Sequence, residues 1–381
     1  MRRLLVLVGA VVFVDTLFFA ALTPLLPEYA EEHDLSKAGA GVLAAAYAAG
    51  AFFGSIPGGL AAARLGVKPT VLLGLSGMAV TTLTFGFAES IWLLDIARFL
   101  QGFSSAFSWT AGLTWIVAAA PVERRGEAIG TAMGSAIFGA LCGPVLGGIA
   151  AVVGTAVAFS SVAVFAAVLG IQTLRTPAFD PGERQPLGRL FGALRDRPLA
   201  ISVWLIALPA LLFGVLGVLG PLRLDELGFT TVAIGATFLV AASFEAILAP
   251  VLGRVSDRRG RLLPLRVGLI ASGAITATIP WVGRGWVLAI AIVLAASAFG
   301  TFWSPALSSV ADRADLIGLD HAYGFALINL AWAPGAALGA AGGGALARAT
   351  TDAVPYLVLS AACLVTLAAL RRAALRPAPA T

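Results

Sequence analysis

The feature that most restricts the fold of this chain is a series of long apolar segments separated by short polar ones. A bilayer core about 30 Å thick is crossed by a helix of about 20 apolar residues. Lipid offers no partner for exposed backbone groups, so segments of this length cross a membrane as helices. The sequence contains twelve predicted spans, at residues 4–26, 38–62, 70–88, 91–117, 127–150, 155–174, 199–221, 231–252, 264–282, 286–310, 322–347 and 355–370.

We therefore predict an all-α integral membrane protein. The composition agrees, because 59% of the 381 residues are hydrophobic and 12% are charged, against about 25% charged in a soluble domain. The net charge of +5 does not indicate nucleic acid, since the basic residues lie between apolar segments and not on one face of a soluble module. Cys142 and Cys363 are too few for a zinc site, so neither a metal nor another cofactor is expected.

The basic residues predict the orientation of the chain. Cytoplasmic loops of membrane proteins carry an excess of Lys and Arg. With the N-terminus inside, 20 of the 25 Lys and Arg residues fall in cytoplasmic segments, and only Lys37, Arg223, Arg284 and Arg348 fall outside. We expect both termini in the cytoplasm and the protein in a cell membrane, the inner or plasma membrane.

An internal repeat divides the chain. Displacing the sequence by 194 positions aligns Pro27 with Pro221, Arg64 with Arg258, Trp92 with Trp286 and Trp109 with Trp303, among other identities. Six predicted spans separate the partners of each pair, which predicts two pseudo-symmetric six-helix halves with a binding site between them. The predicted domains are an N-terminal bundle (1–174), a cytoplasmic linker (175–198) and a C-terminal bundle with a short tail (199–381).

The linker is the longest polar segment and contains five arginines. Residues 187–195 are compatible with a short amphipathic helix on anionic lipid. A solvated basic loop is the alternative interpretation.

Two loop motifs follow the second and eighth spans, GLAAARLGVK (59–68) and GRVSDRRGR (253–261). They resemble the loop motif of the major facilitator superfamily, G-x-L-a-D-R-x-G-R-K. Ala63 replaces the family's Asp in the first copy, which weakens the contact that this Asp makes in the outward-facing state. The matching residues, to which the resemblance assigns a conformational role, are Gly59, Arg64, Gly66 and Lys68 in the first copy, and Gly253, Asp257, Arg258, Gly260 and Arg261 in the second.

The fourth span contains Arg98, Gln101 and Gly102, which resemble the R-x-x-Q-G motif of the same superfamily. An arginine within a membrane span is costly and marks a functional site with a partner. The alternative is a structural pair between Arg98 and Asp95, three residues apart on the helix.

The fifth span contains GALCGPVLGG (139–148), which resembles the G-x-x-x-G-P-x-x-G-G pattern of proton-coupled antiporters in the superfamily. Small residues at this spacing provide a smooth face for close helix packing. The resemblance implies export and a conformational role for Gly139, Gly143, Pro144, Gly147 and Gly148.

Asp15 lies at the middle of the first span, where a charge is costly unless it is paired, hydrated or protonated. Such an acid suits a protein that exchanges a proton for a substrate. The segment from Asp15 to Pro27 resembles the first helix of the drug:proton antiporter branch, including its vesicular amine relatives, which implies proton coupling and binding of a cationic substrate. A structural acid bonded to polar neighbours is the alternative.

Glu245 in the eighth span is the second candidate for proton coupling, together with Asp15 and Arg98. Its alternative is a side chain that extends toward the nearby membrane surface and pairs with Arg254 or Arg258.

The resemblance also implies that the first, fourth, seventh, tenth and eleventh spans line a cavity. Aromatic walls with few directional polar groups suit flat lipophilic ligands and, beside an acid, cationic ones. The predicted substrate-binding residues are Asp15, Phe19, Gln101, Phe107, Trp204, Phe299, Trp303, Asn329 and Trp332.

The sequence thus predicts a secondary transporter that exports small amphiphilic, cationic or drug-like molecules in exchange for protons, working as a monomer. An exporter or facilitator of a neutral or anionic solute, with Arg98 contacting the substrate, is the alternative. A membrane enzyme is disfavoured, because Ser76 has no candidate base and no metalloprotease, P-loop or dinucleotide motif is present. A sensor without transport activity would not need Asp15.

Overall fold

A computed structural model describes residues 2–121, 125–178, 188, 192–193, 195–260, 262–319 and 321–374. The side chains at 125–127, 249–250, 253, 256–257, 259, 304, 311, 315, 321–326 and 371–374 are outside this description. Throughout the described chain the regular structure is helical, without strands, which confirms the predicted all-α class.

The described helices fall into twelve segments, which we number as spans in chain order. They are span 1, Arg2–Ala20 and Leu22–Glu32; span 2, Lys37–Leu65; span 3, Val67–Phe87; span 4, Ile91–Ala119; span 5, Arg125–Val153; span 6, Thr155–Arg175; span 7, Arg197–Glu226; span 8, Thr231–Arg259; span 9, Leu262–Thr278 with the 3-10 turn Ile279–Trp281; span 10, Gly285–Gly300 and Trp303–Leu316; span 11, His321–Ala337, the π-helical turn Leu338–Gly342 and Gly343–Ala349; and span 12, Ala353–Ala374.

Ten of these segments are long and apolar enough to cross a membrane by length and composition. The other two of the twelve, spans 4 and 11, are helical but differ in character. Span 4 carries Asp95, Arg98 and Gln101, and a π-helical turn divides span 11. The predicted amphipathic helix over 187–195 falls largely outside the described residues.

The internal repeat is visible in how the helices begin and end. Spans 2 and 8 are both 29 residues long, and span 8 begins 194 residues after span 2. Ser36 and Thr230 cap their first turns by accepting a backbone N–H three residues later, as N-cap residues do. Gly66 and Gly260 end them with φ of 93° and 81°, which side chains disfavour. The equivalent spans of the two halves therefore begin with the same kind of N-cap residue and end with the same kind of glycine.

The two halves meet at the side of the membrane opposite the chain termini, which we name the distal side; the other is the terminal side. Near the distal ends of spans 2 and 11, the backbones approach so closely that a Cβ at Gly41 or Gly344 would collide with the opposite main chain. Lys37 pairs with Asp352 at 2.6 Å and with Glu226 at 3.3 Å. Thr231 also hydrogen-bonds Glu28 across the boundary. These contacts close the distal side.

Candidate functional site

Span 1 places Asp15 in the interior of the molecule, where its side chain is 1% exposed. The span is interrupted at Ala21, three residues before Pro24. Proline has no backbone N–H to continue the helical ladder, so this sequence favours a break there. The break lies six residues beyond Asp15, and Pro24 leaves the carbonyl oxygen of Ala20 without its usual helical donor.

Three donors converge on one oxygen of Asp15. The indole N–H of Trp109 donates to Oδ2 at 2.7 Å, and the hydroxyl groups of Tyr47 and Ser105 each lie 2.8 Å from the same atom. These two hydroxyls are also 2.8 Å from each other. Asp15 Oδ1 is buried and has no hydrogen-bond partner in the described part of the chain. The arrangement holds a carboxylate in the apolar interior through charge-assisted bonds.

Arg98 occupies the space beside this cluster and is also 1% exposed. Its guanidinium donates to the carbonyl oxygens of Phe18 at 3.2 Å and Phe19 at 2.5 Å, next to the break in span 1. It also donates to Gln101 Oε1 at 2.6 Å and lies over the Tyr47 ring at 5.2 Å. Arg98 therefore binds the main chain next to the break in span 1, and both Arg98 and Asp15 contact Tyr47.

The polar residues of span 4 occupy one face of the helix. Arg98, Gln101, Ser105 and Trp109 follow at intervals of three and four residues, which places them on one stripe. Gln101 Nε2 extends the network by donating to Thr82 Oγ1 of span 3 at 2.8 Å. Arg98 bonds Gln101, whereas Ser105 and Trp109 bond Asp15, so the polar groups of the stripe have partners inside the protein.

Glycines let the spans approach closely enough for these bonds. A Cβ at Gly102 would collide with the carbonyl oxygen of Tyr47, and one at Gly50 with that of Phe99. Spans 2 and 4 thus pack backbone against backbone, the arrangement that small residues permit in membranes. The contact brings Tyr47 and Ser105 to the same carboxyl group.

The GP-containing motif of span 5 packs against span 1. A Cβ at Gly139, Gly143 or Gly147 would collide with atoms of residues 13–24, including the main chain at the break. Gly148 has no atom within 4 Å of such a Cβ and lines an apolar groove of about 420 Å³ with Pro144. Three of the four motif glycines therefore support the segment that carries Asp15.

Glu245 lies at the midpoint of span 8, with fourteen residues on either side. This is the mid-span position that the sequence predicts. The indole of Trp303 lies near its carboxylate, and the Glu245 side chain packs over Gly300 of span 10. Arg258, one of the partners considered from the sequence, is exposed at the end of the helix.

The predicted cavity residues occupy several places. Phe19 contacts Tyr47 with ring centroids 4.6 Å apart and Trp332 of span 11 at 5.8 Å, so it joins the two halves. Phe213 packs edge-on against Phe299 at 5.3 Å and is stacked with Trp303 at 6.4 Å. These residues form two aromatic groups, one around each acid.

The other three predicted residues make no described contact with Asp15 or Glu245. Phe107 packs against Phe103 at 5.3 Å and lies beside Gly58 of span 2. Asn329 is half-buried, one turn from Trp332. Trp204 is 41% exposed and donates to Thr366 of span 12, so the structure places it against that span.

The loop motifs lie at the terminal side. Lys68 donates to the carbonyl oxygen of Leu174 at 2.6 Å, which ties the motif to the end of span 6. Arg64 is exposed, and Gly59 has open space around its Cα. The side chains of Asp257 and Arg261 and the surroundings of Gly253 lie outside the described residues.

Sequence reasoning missed Tyr47 and Ser105 as partners of Asp15. A signal for Ser105 existed, because it continues the stripe of Arg98 and Gln101 toward Trp109. The signal for Tyr47 is weaker: it is the one tyrosine in an otherwise Gly- and Ala-rich span. The Arg98–Asp95 pair is not among the contacts of Arg98, whose described hydrogen bonds go to span 1 and to Gln101.

A multi-span helical protein with two repeated halves and buried charges between its helices has the architecture of a secondary transporter. Residues 8–339 match the Major Facilitator Superfamily. The match covers most of the chain, and the protein belongs to this family of transporters.

Relatives with similar sequences are transporters. The chain is 36% identical over 124 residues to an MFS-type transporter ppzB of Metarhizium rileyi, covering 31% of this chain and 26% of that protein. It is 27% identical over 186 residues to Multidrug resistance protein 1 of Bacillus subtilis, covering 48% of each, and 33% identical over 138 residues to a probable vesicular acetylcholine transporter-B of Danio rerio, covering 34% and 28%. The matches span about a quarter to a half of these relatives.

Solved structures share the fold over nearly the whole length. A bacterial homologue of the human lysosomal transporter Spinster, in an inward-facing and unoccupied conformation, superimposes with a TM-score of 0.76 at 15% identity, covering 97% of this chain and 95% of that one. The nucleoside transporter NupG gives 0.76 at 13% identity, covering 98% and 100%. At these identities the likeness shows the fold alone.

Proposed function

We propose that the protein is a proton-coupled antiporter that exports small amphiphilic, cationic or drug-like molecules. In this proposal residues 1–174 and 199–381 rock against each other about a central site, joined by the linker 175–198. The terminal side is the cytoplasmic side of a cell membrane, as the distribution of Lys and Arg favours. The relatives that transport drugs and acetylcholine, by their names, support a cationic substrate.

The observation that carries the proposal is the buried Asp15 cluster. A carboxylate in the membrane interior is stable only with partners or a proton, and Asp15 has three donors on Oδ2. Binding a proton removes the charge that strengthens these bonds. The same proton weakens the electrostatic attraction between Asp15 and Arg98. The Arg98 guanidinium is hydrogen-bonded to the main chain next to the break in span 1.

Proton binding at Asp15 thereby changes the contacts between span 1 and Arg98. Span 1 contacts Trp332 of span 11 through Phe19, four residues beyond Asp15. A proton at the carboxyl group is therefore linked to the boundary between the halves. An antiporter needs this linkage between protonation and conformation, because each change of conformation must carry either a proton or a substrate.

The test is uptake of lipophilic cations into proteoliposomes under an imposed pH gradient, with a neutral drug and a sugar for comparison. We expect accumulation of the cation against its concentration gradient, abolished in Asp15→Asn. The matched control is Asp95→Asn, the same chemical change in an acid of span 4 that is half-buried and outside the cluster. It should keep gradient-driven accumulation.

Uphill transport in Asp15→Asn equal to that of the wild type would contradict the assignment of Asp15. Transport of the neutral drug or the sugar alone would favour the alternative, an exporter or facilitator of uncharged solutes.

A further inference from the structure

A second acid lies in the membrane interior outside the Asp15 cluster. Glu245 is at the centre of span 8, on the same helical face as the buried residues Ile234, Thr237 and Ala241. This face packs against span 10. A Cβ at Gly300 would lie 2.7 Å from Glu245 Cγ, so the glycine leaves the space that the glutamate side chain occupies.

One aromatic ring lies near this acid, and two more pack behind it. Trp303 lies near the carboxylate, and the Phe213 ring is stacked with Trp303 at an interplanar angle of 13°. Phe299, which is fully buried, meets Phe213 edge-on at 90°. We call Glu245, Gly300, Trp303, Phe213 and Phe299 the Glu245 pocket.

Span 10 is interrupted at this pocket. Its first helix ends at Gly300, over which the Glu245 side chain packs, and its second begins at Trp303. Interrupted spans near the bilayer midplane commonly form substrate sites in transporters, because the ends of the half-helices are free to face a ligand.

The two acids have different surroundings. Asp15 is enclosed, with three donors on one oxygen and Arg98 nearby. Glu245 is half-buried, and within the part of the chain that the structure describes it makes no ion pair. A carboxylate without a basic partner, near the indole of Trp303, suits an ammonium or other organic cation through charge and cation–π attraction.

The repeat relates the two sites. Trp109 and Trp303 are 194 residues apart, at equivalent places in spans 4 and 10; Trp109 donates to Asp15, and Trp303 lies near Glu245. We infer that the Glu245 pocket binds the cationic group of the transported molecule, whereas Asp15 carries the proton. This inference rests on the proposed function.

The experiment measures equilibrium binding of radiolabelled tetraphenylphosphonium to the purified full-length protein in detergent at fixed pH. Chloramphenicol, which is neutral, serves as the second probe. The variants are Glu245→Gln and Glu245→Asp, with Asp95→Asn as the matched control in the other half, and Asp15→Asn is measured alongside them. Size-exclusion chromatography confirms that each variant remains folded and monodisperse.

We expect Glu245→Gln to raise the dissociation constant for tetraphenylphosphonium at least tenfold, which corresponds to about 1.4 kcal/mol. Glu245→Asp should retain most of the affinity, and Asp95→Asn should change it less than threefold. Chloramphenicol binding should be unchanged in all three variants. Gly300→Ala, whose Cβ would displace Glu245, should weaken cation binding in the same way while leaving the carboxyl group in place.

Unchanged cation affinity in Glu245→Gln, or a loss confined to Asp15→Asn, would overturn the inference while leaving antiport intact. Failure of the wild type to bind or accumulate any cation would instead overturn the proposed function. Proton-driven uptake at saturating cation concentration separates the two roles, because Glu245→Gln should retain it and Asp15→Asn should not.

Discussion

Tyr47 is the residue through which the two buried charges of the N-terminal half communicate. Its hydroxyl lies 2.8 Å from Asp15 Oδ2, and its ring lies 5.2 Å from the Arg98 guanidinium. The hydroxyl and the ring can be separated chemically, because phenylalanine keeps the ring and removes the hydroxyl. A hydrogen bond to a charged group contributes about 1.5–3 kcal/mol, enough to alter coupling without unfolding the span.

We therefore expect Tyr47→Phe to reduce the proton-driven accumulation ratio about tenfold, since about 1.4 kcal/mol corresponds to a factor of ten. The measurement is steady-state accumulation in proteoliposomes. Tyr356→Phe is the control. This tyrosine lies in span 12 and is 3% exposed, so the substitution removes a buried hydroxyl group far from Asp15 in the sequence. Equal effects of the two substitutions would show that Tyr47 acts through packing alone.

Helix packing positions the site at the scale of single spans. Span 5 supports span 1 through Gly139, Gly143 and Gly147, while Gly148 faces the groove near Gly235 of span 8. The four glycines share one motif but not one environment. This difference gives an internal comparison between motif positions.

Gly143→Leu should slow transport at least tenfold while changing the dissociation constant for the cation less than threefold, because the added side chain collides with Ala20 at the support of the moving span. Gly148→Leu, a change of the same size into open space, should retain near-wild-type turnover. Initial rates and equilibrium binding test both. Comparable turnover in the two variants would contradict the packing argument.

Span 7 is held to span 10 at the terminal side by Asp196 and Arg313. The guanidinium donates to both carboxylate oxygens, at 2.8 and 2.6 Å, and Asp196 also accepts the Leu199 N–H as an N-cap. These bonds, the Arg313 bond first, lower the pKa of Asp196 to about 2. An unfolded aspartate has a pKa of about 3.9, so the stabilisation is complete above that value and declines as pH falls toward 2.

The difference in melting temperature between the wild type and Asp196→Asn should therefore be constant from pH 7 to pH 5 and shrink below about pH 4. Thermal unfolding in detergent, followed by intrinsic fluorescence, measures it. A difference that grew on acidification would contradict the depressed pKa.

For the whole molecule, closure at the distal side depends on contacts that cross between the halves. Lys37 of span 2 bridges Asp352 and Glu226 of the other half, whereas Arg223 pairs with the same Glu226 within its own half. Exposed pairs contribute about 0.2–1 kcal/mol each. Removing the crossing pairs should shift the population of open states by a few-fold without unfolding either half.

Lys37→Ala should thus increase the fraction of molecules open at the distal side, whereas Arg223→Ala should not. Spin labels at Glu32 and Asp225, both exposed at that side, report the separation of the halves by pulsed electron resonance. An unchanged distance distribution in Lys37→Ala would show that the close backbone packing near Gly41 suffices to hold the side closed.

The sequence by itself determined the helical class, the order of the spans, the duplication and the two buried acids. Bilayer thickness and the cost of charge in lipid act on local composition, so these features can be read from short segments. The GP-containing motif and Arg98 could also be identified from their spacing in the sequence. The residues that they contact could not be predicted in this way.

The tertiary structure decided which side chains meet. Tyr47, Ser105 and Trp109 lie 32 to 94 positions from Asp15 in sequence, and their convergence depends on the rotation of three helices and on backbone contact at Gly102. The rotations of spans 7 and 8 likewise turned Trp204 toward span 12 and placed Glu245 against Gly300. Hydropathy does not encode helix rotation in a membrane, because lipid and protein neighbours are both apolar.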